Sequence, residues 1–311
     1  MYKILSKGID QTVPDIDLFL EEEANSSVLS IVGWGHKETS IKAQKLAENL
    51  RKPYVAVEDG FIRSIGLGVE GAKPFSLHVD HLGIYYDATQ ASEAEYLIDN
   101  FNQWATPAII TRAKHLIKDI KEKDISKYNN GIKFTGKRNH KGIIVDQTYG
   151  DASITLGCAT ENSFQEMIDY ALSIYDEKDL VIKTHPDVIS GKKKGAIKNY
   201  PNNVKIITDN YTPLSLLQGF ESIFVVTSQM GFDGLLLDKK VHVFGCPFYA
   251  GWGLTIDHGY IPKNRRRRKP PLEVLVAVMY ILLSRYVLPT TKKRTSVENI
   301  IRYIANERNS N

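Results

Sequence analysis

The sequence predicts an α/β protein with two consecutive domains, each built on a parallel sheet. The chain has 311 residues, which exceeds what one hydrophobic core usually organises, so two domains are expected. Short apolar runs that end in glycine or an acidic residue alternate with segments of helical period, which is the pattern of βαβ units. A composition of 42% hydrophobic and 24% charged residues is typical of a folded globular protein.

In the first half, three apolar runs are expected to form strands: "SVLSIVGWG", "PYVAVEDG" and "HLGIYYD". The segment "SIKAQKLAENLRK", between the first two, has the spacing of a helix. A polar, lysine-rich passage from about Lys114 to Lys141 is predicted to contain the interdomain linker. The first domain is therefore predicted to span residues 1–135.

The second half repeats the alternation more clearly and predicts a second domain over residues 136–270. Its expected strands are "GIIVDQTYGD", "DLVIKTHPD", "NVKIITDN", "SIFVVTSQMG" and "KVHVFGCPF", and its expected helices are "SFQEMIDYALSIYD" and "PLSLLQGF". The apolar run "LEVLVAVMYILL" is expected to be a buried helix. It opens a helical segment, 271–311, predicted to pack across both domains.

Charge, cysteines and apolar runs restrict the possible functions. The net charge is only +4, from 40 basic and 36 acidic residues, which argues against a protein that binds a polyanion over its whole surface. Cys158 and Cys246 lack metal or disulfide spacing and are predicted to be buried thiols in a reducing compartment. No signal peptide is evident, and the longest apolar run is too short to cross a bilayer. A cytoplasmic protein is expected.

Polar residues follow three strands of the second domain. In open α/β sheets ligands bind beyond the carboxyl ends of the strands, so these residues are the first candidates for a site. They are Asp146, Gln147, Gly150 and Asp151 after the first strand, Lys183, His185 and Pro186 after the second, and Thr227, Ser228, Gln229 and Gly231 after the third.

Several of these residues suit an anionic ligand. A helix opening near Gly231 would present backbone N–H groups to a phosphate; the alternative is an ordinary N-cap formed by Thr227 or Ser228. His185 precedes a proline and is expected to be extended. It could donate to an anion together with Lys183 and the lysines of "GKKKG", although a lone histidine is more often structural. The ligand spacing of a metal site is absent from the sequence, so no metal is expected.

In the first domain, "VEDGFIRSIGLG" places Glu58 and Asp59 at a predicted strand end. Paired carboxylates can share acid and base work, but neighbours in a strand point to opposite faces, so only one is expected to face a ligand. The alternative is two solvated loop acids. The "GLG" lacks the GxGxxG pattern, which disfavours a dinucleotide cofactor.

A basic run, Arg265, Arg266, Arg267, Arg268 and Lys269, precedes the apolar segment at Leu272. A solvated charge run is the ordinary interpretation. A contact with a membrane surface is the functional alternative. Nucleic-acid binding is not expected, because no recognition module accompanies the run.

Five motifs occur in order along the chain: "EDGFIRSIGLG", "DQTYGDASI", "KTHPDVISGKKKG", "TSQMGFDGLL" and "FGCPFYAGWGLTID". Together they resemble the KpsC family, the capsule-type β-Kdo transferases of Gram-negative bacteria. The resemblance runs over nearly the whole chain and matches one family module, whereas members often carry two. It implies two Rossmann-like domains in a variant of the GT-B glycosyltransferase plan, with an interdomain cleft.

The resemblance implies transfer of Kdo, an acidic sugar, from CMP-β-Kdo with retention of configuration. The acceptor would be a phosphatidylglycerol-type lipid or a Kdo-terminated glycolipid, extended into the poly-Kdo linker of a capsular polysaccharide. The implied partners are capsule assembly proteins, and the implied place is the cytoplasm or the inner face of the inner membrane. No cofactor is expected beyond the donor substrate. The alternatives are another CMP-sugar transferase, such as a sialyltransferase-like enzyme, and a non-catalytic glycolipid-binding module.

The resemblance also implies residue roles. The nucleophile that forms a covalent intermediate would be Asp151, with Asp146 as the alternative, and Asp59 or Glu58 would deprotonate the acceptor. The acidic-acidic-Gly, His-Pro and Ser/Thr-Ser motifs match Glu58 to Gly60, His185 with Pro186, and Thr227 with Ser228. The nucleotide would contact Lys183, His185, Pro186, Thr227, Ser228, Gln229 and Gly231, and the donor sugar would contact Gln147, Gly150, Arg63 and Lys192.

Overall fold

The computed structural model describes residues 1–5, 9–36, 38–136 and 139–310. It divides into two compact units. Unit 1 comprises Met1–Tyr85, Gln90–Asn130 and Glu273–Asn311, and unit 2 comprises Tyr86–Thr89 and Gly131–Leu272. The chain leaves unit 1 for the second time after Asn130, within the lysine-rich passage. The expected packing of 271–311 across both domains stays a prediction.

The strands are β1 (Tyr2–Ile4), β2 (Ser30–Trp34), β3 (Tyr54–Asp59), β4 (Ser76–Asp80), β5 (Gly142–Val145), β6 (Leu180–Lys183), β7 (Lys205–Ile207), β8 (Ser222–Val225), β9 (Lys240–Val243), β10 (Ile256–Asp257), β11 (Ser284–Leu288) and β12 (Lys293–Thr295). The helices are α1 (Ile9–Thr12), α2 (Ile16–Phe19), α3 (Glu21–Asn25), α4 (Ile41–Leu50), α5 (Glu93–Asp99), α6 (Pro107–Lys123), α7 (Ala152–Leu156), α8 (Asn162–Ile174), α9 (Pro186–Ile189), α10 (Pro213–Leu217), α11 (Met230–Leu236), α12 (Leu272–Val276) and α13 (Val297–Ser310). A π-helical segment, Ala277–Leu282, continues α12.

Unit 1 has a mixed sheet of order β1-β2-β3-β4-β11-β12. β1, β2 and β3 are parallel, whereas β4 is antiparallel to β3 and to β11. The apolar residues of α1 and α2 pack against one face, and Val55, Val57 and Leu77 are fully buried there. The expectation of a parallel sheet is thus wrong for this unit.

The run "HLGIYYD" does not form the expected strand. It follows β4 as a series of turns, because the carboxylate of Asp80 accepts hydrogen bonds from the N–H groups of Leu82 (2.9 Å), Gly83 (2.7 Å) and Glu93 (3.0 Å). These bonds bend the chain directly after the strand and also start α5. The segment after residue 271, expected to be helical, contributes strands β11 and β12 to this sheet as well.

Unit 2 has a parallel sheet of order β10-β9-β8-β5-β6-β7. Every strand and helix expected in the second half of the chain is present. Ile144, Ile182 and Phe224 lie in its main apolar core with the buried face of α8. Because β5 lies between β6 and β8, the carboxyl ends of these three strands meet at one edge of the sheet. The α/β fold class is confirmed.

The apolar run after Leu272 is buried, as expected. Val274 through Tyr280 are at most 2% exposed. Across the described ranges, no helix combines the length and the apolar character needed to cross a membrane. Of the two cysteines, Cys246 is buried as predicted. The prediction was wrong for Cys158, which is partly exposed because it lies in a turn with φ of +54° after α7.

Candidate functional site

In unit 2, Gln147 and Thr227 join the carboxyl ends of β5 and β8. The backbone N–H of Thr227 donates to Oε1 of Gln147 (2.8 Å), and Nε2 of Gln147 donates to Oγ1 of Thr227 (2.9 Å). Oγ of Ser153 lies 3.2 Å from the same hydroxyl. Both Gln147 and Thr227 are buried. The predicted convergence of these strand ends is therefore observed, and the two hydrogen bonds with Gln147 fix the position of Thr227.

Asp146 holds the loop that follows the lysines. Its Oδ1 accepts hydrogen bonds from the N–H groups of Gln147 (2.9 Å), Ala196 (3.0 Å) and Ile197 (2.9 Å). Burial raises the pKa of the Asp146 carboxyl, and these N–H groups oppose the increase. A Cβ on Gly195 would lie 2.3 Å from Oδ2, so only glycine lets the loop approach this closely. The geometry favours a structural role over a nucleophilic one.

Asp151 is exposed and caps α7. Its Oδ1 accepts a hydrogen bond from the N–H of Ser153 at 2.8 Å, and Oγ1 of Thr148 lies 3.5 Å from Oδ2. Gly150, with φ of +74°, forms the turn that presents this carboxylate. Asp151 is thus accessible to a ligand, in contrast to Asp146.

Lys183, the last residue of β6, is 4% exposed. Its Nζ donates to the carbonyl oxygen of Thr184 at 2.6 Å. Burial lowers its pKa to about 8, against the opposing effect of Asp209. A cation buried at a strand end in this way would be stabilised by an approaching anion.

His185 begins α9 in the extended conformation that Pro186 predicts, with φ of −66° and ψ of +142°. Its Nδ1 accepts a hydrogen bond from the N–H of Asp187 at 3.1 Å. The neutral ring therefore carries its proton on Nε2, which makes that nitrogen a donor. The structural role and the proposed phosphate contact thus use different ring nitrogens.

The lysine loop is tied to both neighbouring segments. The N–H groups of Lys192 and Lys193 donate to the carbonyl oxygen of Asp187, each at 3.1 Å, and Nζ of Lys193 lies 3.3 Å from the Asp187 carboxylate. On the other side, the N–H of Tyr149 donates to the carbonyl oxygen of Lys194 at 2.8 Å. Lys192 is exposed in this loop, which lies beside the turn that carries Asp151.

The start of α11 shows a different use of the Thr-Ser pair. Oγ of Ser228 accepts a hydrogen bond from the N–H of Met230 at 3.3 Å, so Ser228 stabilises the helix start. A Cβ on Gly231 would lie 2.3 Å from the hydroxyl oxygen of Tyr249, which donates to the Ser228 carbonyl. Gly231 therefore makes room for Tyr249. Gln229, next to Met230, is partly exposed.

In unit 1, Glu58 and Asp59 end β3 on opposite faces, as predicted. Glu58 is paired in register with His78, and Asp59 with Leu77. Glu58 is buried, whereas the side chain of Asp59 is 20% exposed. The two acids are therefore not the solvated loop acids of the alternative interpretation.

Arg63 is 2% exposed, and its guanidinium is bound within unit 1. Nε lies 2.7 Å from the carboxylate of Asp59, and Nη1 donates to Oγ of Ser64 (3.0 Å) and the carbonyl oxygen of Ala72 (2.7 Å). The expected contact with the carboxylate of a donor sugar is not supported by this placement. These bonds favour a positioning role for Arg63, because they orient Asp59.

His78 is a residue that sequence reasoning missed. It is fully buried beside Glu58, with Phe61 and Tyr85 at its edges (ring centroids 6.3 and 4.9 Å away). Burial lowers its pKa to about 4, so the ring is neutral near pH 7. No strand was expected at "SLHVD", and the neighbour of His78 depends on the pairing of β4 with β3. Ser153 was missed for a similar reason.

The basic run is only partly a surface feature. Arg266 is 6% exposed, and its guanidinium donates to the carbonyl oxygens of Pro247 (2.6 Å) and Ala250 (2.8 Å). Arg265 donates to the carbonyl oxygen of Ala88. The expectation of a membrane-surface contact was wrong for these two arginines, because backbone carbonyls hold them within unit 2. Among the described residues, no group of three or more His, Cys, Asp or Glu side chains is arranged to hold a metal ion.

Two solved structures match the chain over nearly its whole length. The KpsC of Thermosulfurimonas dismutans described as a β-Kdo 2,4 transferase is 41% identical, with a TM-score of 0.89, over 98% of this chain and 97% of that chain. A second KpsC structure from that organism, described as a β-Kdo 2,7 transferase, is 26% identical, with a TM-score of 0.70, over 99% of each chain. The two α/β units and their polar strand ends thus define a KpsC-like protein with a GT-B-like fold.

The family model for capsule polysaccharide biosynthesis proteins matches residues 30–135 and 108–288, and the chain belongs to this family. It is 35% identical to the capsule polysaccharide modification protein LipA of Neisseria meningitidis serogroup A, over 99% of this chain and 46% of LipA. It is 36% identical to the lipopolysaccharide-processing protein LpsZ of Rhizobium meliloti, over 90% of this chain and 64% of LpsZ. The chain therefore spans about half to two thirds of the length of these relatives. The resemblance to the KpsC family is confirmed.

Proposed function

We propose that this chain is a retaining glycosyltransferase that moves Kdo from CMP-β-Kdo to a lipid-linked acceptor and so builds the poly-Kdo linker of a capsular polysaccharide. The observation that carries the proposal is its full-length similarity, at 41% identity, to the β-Kdo 2,4 transferase of T. dismutans. Identity to the 2,7 transferase is 26%. This difference favours a 2,4 linkage in the product.

The donor nucleotide is assigned to the carboxyl ends of β6 and β8. Nε2 of His185 would donate to the CMP phosphate, and Lys183 would supply charge, since an anion offsets the cost of burying an ammonium group. Thr227 is held for such a contact by Gln147. The remaining contacts are assigned to Pro186, Ser228, Gln229 and Gly231, and Lys192 is assigned to the carboxylate of Kdo.

Asp151 is the proposed nucleophile. Its carboxylate attacks the anomeric carbon as the bond to CMP breaks, and the electron pair of that bond leaves on the phosphate oxygen. The acceptor hydroxyl then loses its proton to Glu58 or Asp59, and its oxygen displaces Asp151 from the same carbon. Two inversions give net retention. Asp151 is preferred to Asp146 because it is exposed, whereas Asp146 is buried and binds three backbone N–H groups.

The variant Asp151→Asn tests this assignment. An asparagine at this position still accepts from the N–H of Ser153, so the start of α7 is preserved while the nucleophile is lost. Kdo transfer should fall by about 10³-fold or more, with CMP affinity unchanged. The matched control is Asp146→Asn, which should keep transfer within about tenfold and lower the stability of unit 2. If Asp146→Asn abolished transfer and Asp151→Asn kept it, Asp146 would be the nucleophile.

The wild-type chain tests the proposal as a whole. It should release CMP from CMP-Kdo in the presence of a synthetic lipid acceptor, and the mass of the product should rise by one or more Kdo units. Turnover of CMP-sialic acid with none of CMP-Kdo would establish the sialyltransferase-like alternative. Binding of the glycolipid without turnover of either donor would establish the non-catalytic alternative. Association with capsule assembly proteins and with the inner membrane stays a prediction.

A further inference from the structure

The basic run is built into unit 2 as a fixed segment. Arg266 has φ of +55°, in the left-handed region that costs a non-glycine residue about 1 kcal/mol or more. Its two bonds to backbone carbonyls and its position 5.8 Å from the ring of Trp252 hold it there. A third such bond, from Arg265 to the carbonyl oxygen of Ala88, fixes the preceding residue. The run is therefore not a loosely solvated series of charges.

Fixing these two arginines leaves a set of cations on the surface beside them. Arg267, Arg268, Lys269 and Lys263 are exposed, and the nearby Tyr260 is 57% exposed. Residues 258–271 contain six Lys or Arg and no acidic residue. We name Tyr260, Lys263, Arg267, Arg268 and Lys269 the cationic surface.

The segment that carries the cationic surface is anchored to the turn at Gly251. Ile261 and Arg266 both flank Gly251, where a Cβ would lie 2.8 Å from Ile261 and 3.2 Å from Arg266. This contact places Tyr260, the neighbour of Ile261, on the same segment that holds the run. The preceding acid, Asp257, has its carboxylate bound to the N–H of Gly251 and the hydroxyl of Thr255. Within residues 258–271 the formal charge is thus basic only, and Arg267 donates to the neutral side chain of Asn264 at 3.3 Å.

We propose that the cationic surface docks unit 2 on an anionic phospholipid bilayer. Arginine binds phosphate in two-point contacts, lysine adds charge, and an exposed tyrosine beside them is typical of proteins that contact lipid headgroups. The apolar helix after Leu272 is buried and is not part of this surface. The fixed backbone of the run and the exposed Tyr260 support the contact instead. As a docking surface for an enzyme with a lipid-linked acceptor, it rests on the proposed function.

The test is sedimentation of the full chain with phosphatidylcholine vesicles that contain about one third phosphatidylglycerol, compared with phosphatidylcholine alone. Binding should require phosphatidylglycerol and weaken as salt is raised. The double variant Arg267→Glu with Arg268→Glu should bind at least about 25-fold more weakly, since each lost cation costs about fivefold and each added carboxylate is repelled by the anionic surface. Tyr260→Ser should weaken binding to a smaller extent.

The matched control is Lys178→Glu with Lys205→Glu. Both lysines are exposed, the charge change is the same, and Lys205 lies on β7, at the edge of the sheet opposite β10. This variant should keep most of the vesicle binding. Equal loss in both double variants would show that net charge alone drives binding and would overturn the proposal, as would equal wild-type binding to both kinds of vesicle. Tighter binding to a DNA duplex than to the anionic vesicles would assign the surface to nucleic acid and also overturn it.

Vesicle binding and sugar transfer separate the two proposals. The Arg267 and Arg268 double variant should retain the thermal midpoint of unfolding, CMP affinity and transfer to a soluble acceptor. A wild-type chain that binds anionic vesicles but turns over no CMP-Kdo would refute the proposed function and leave the docking surface standing. A chain that transfers Kdo but does not bind the vesicles would refute the docking surface and leave the proposed function standing.

Discussion

Replacing Lys183 with methionine should stabilise unit 2 while weakening its use of the nucleotide. Lys183 is 4% exposed, and burial lowers its pKa from 10.5 to about 8. Between these values the unfolded chain binds a proton that the folded chain lacks, so stability rises with pH through this window. Below pH 8 the cost of burying the charged lysine is present in full.

The size of the effect follows from the shift in pKa. A decrease from 10.5 to about 8 corresponds to about 3 kcal/mol of unfolding free energy. Methionine removes this cost but also removes the hydrogen bond from Nζ to the carbonyl oxygen of Thr184, worth about 1 kcal/mol. The variant Lys183→Met should therefore be more stable than the wild type by about 2 kcal/mol at pH 7. The difference should shrink to near zero at about pH 9.5.

The measurement is urea unfolding of both proteins at the two pH values, followed by fluorescence. Trp252 is the tryptophan of unit 2 and is buried, and Trp34 and Trp104 of unit 1 are replaced by phenylalanine in every protein compared, so the emission reports on the unit that contains Lys183. The control is Lys205→Met on the neighbouring strand β7, where the lysine is exposed and its replacement should shift stability little at either pH. CMP should raise the midpoint of the wild type more than that of Lys183→Met.

Two results would refute this reasoning. The first is a Lys183→Met variant that is less stable than the wild type at pH 7. The second is a stability difference that does not change between pH 7 and about pH 9.5. Either would mean that the ammonium group of Lys183 is well solvated or paired in the folded protein, and that its burial carries no cost for a phosphate to offset.

Three further predictions concern residues around the same unit. Burial, aided by His258 and Lys240, lowers the pKa of His242 to about 4, so the free energy of unfolding should fall by up to about 3 kcal/mol as pH decreases from 6.5 to about 4. In urea unfolding, the variant His242→Phe should lose less stability over this pH range. An acid dependence equal to that of the wild type would contradict the prediction. Gly231→Ala should lower the thermal midpoint by the equivalent of about 2 kcal/mol, because its Cβ would meet the Tyr249 hydroxyl, and Tyr249→Phe in that background should recover part of the loss. Arg266→Ala should cost about 3 kcal/mol and Arg267→Ala no more than about 0.5 kcal/mol, and equal costs would refute the anchoring role.

The second half of the chain was predictable because its central strands β5, β6 and β8 are buried on both faces. Such strands are short continuous apolar runs, and the polar residues that follow them lie at the ligand-binding edge of a parallel sheet. Asp146, Lys183 and Thr227 could therefore be expected to lie near one another before any contact was known. The approach of β5, β6 and β8 in the structure confirms that part of the argument.

The first half was less predictable, because its strand pairing depends on distant segments. The run "HLGIYYD" has an apolar pattern, yet the carboxylate of Asp80 turns the chain at that point. The partner of β4 on its other side is β11, which comes from the end of the chain. Neither the antiparallel direction of β4 nor the position of His78 beside Glu58 could be read from local pattern.

The sequence by itself determined the α/β class, the strand ends that carry polar residues and the resemblance to the KpsC family. Tertiary structure alone decided which of several chemically equal residues is buried and which is exposed. Asp146 is occupied by backbone N–H groups from residues 50 and 51 positions away, while Asp151, five residues later, is exposed. Arg266 is bound to carbonyls 16 and 19 positions away, while Arg267 faces solvent. The physical reason is that the partners of these side chains are backbone groups that folding brings close. Such partners are distant in sequence, so the residues next to the side chain do not indicate them.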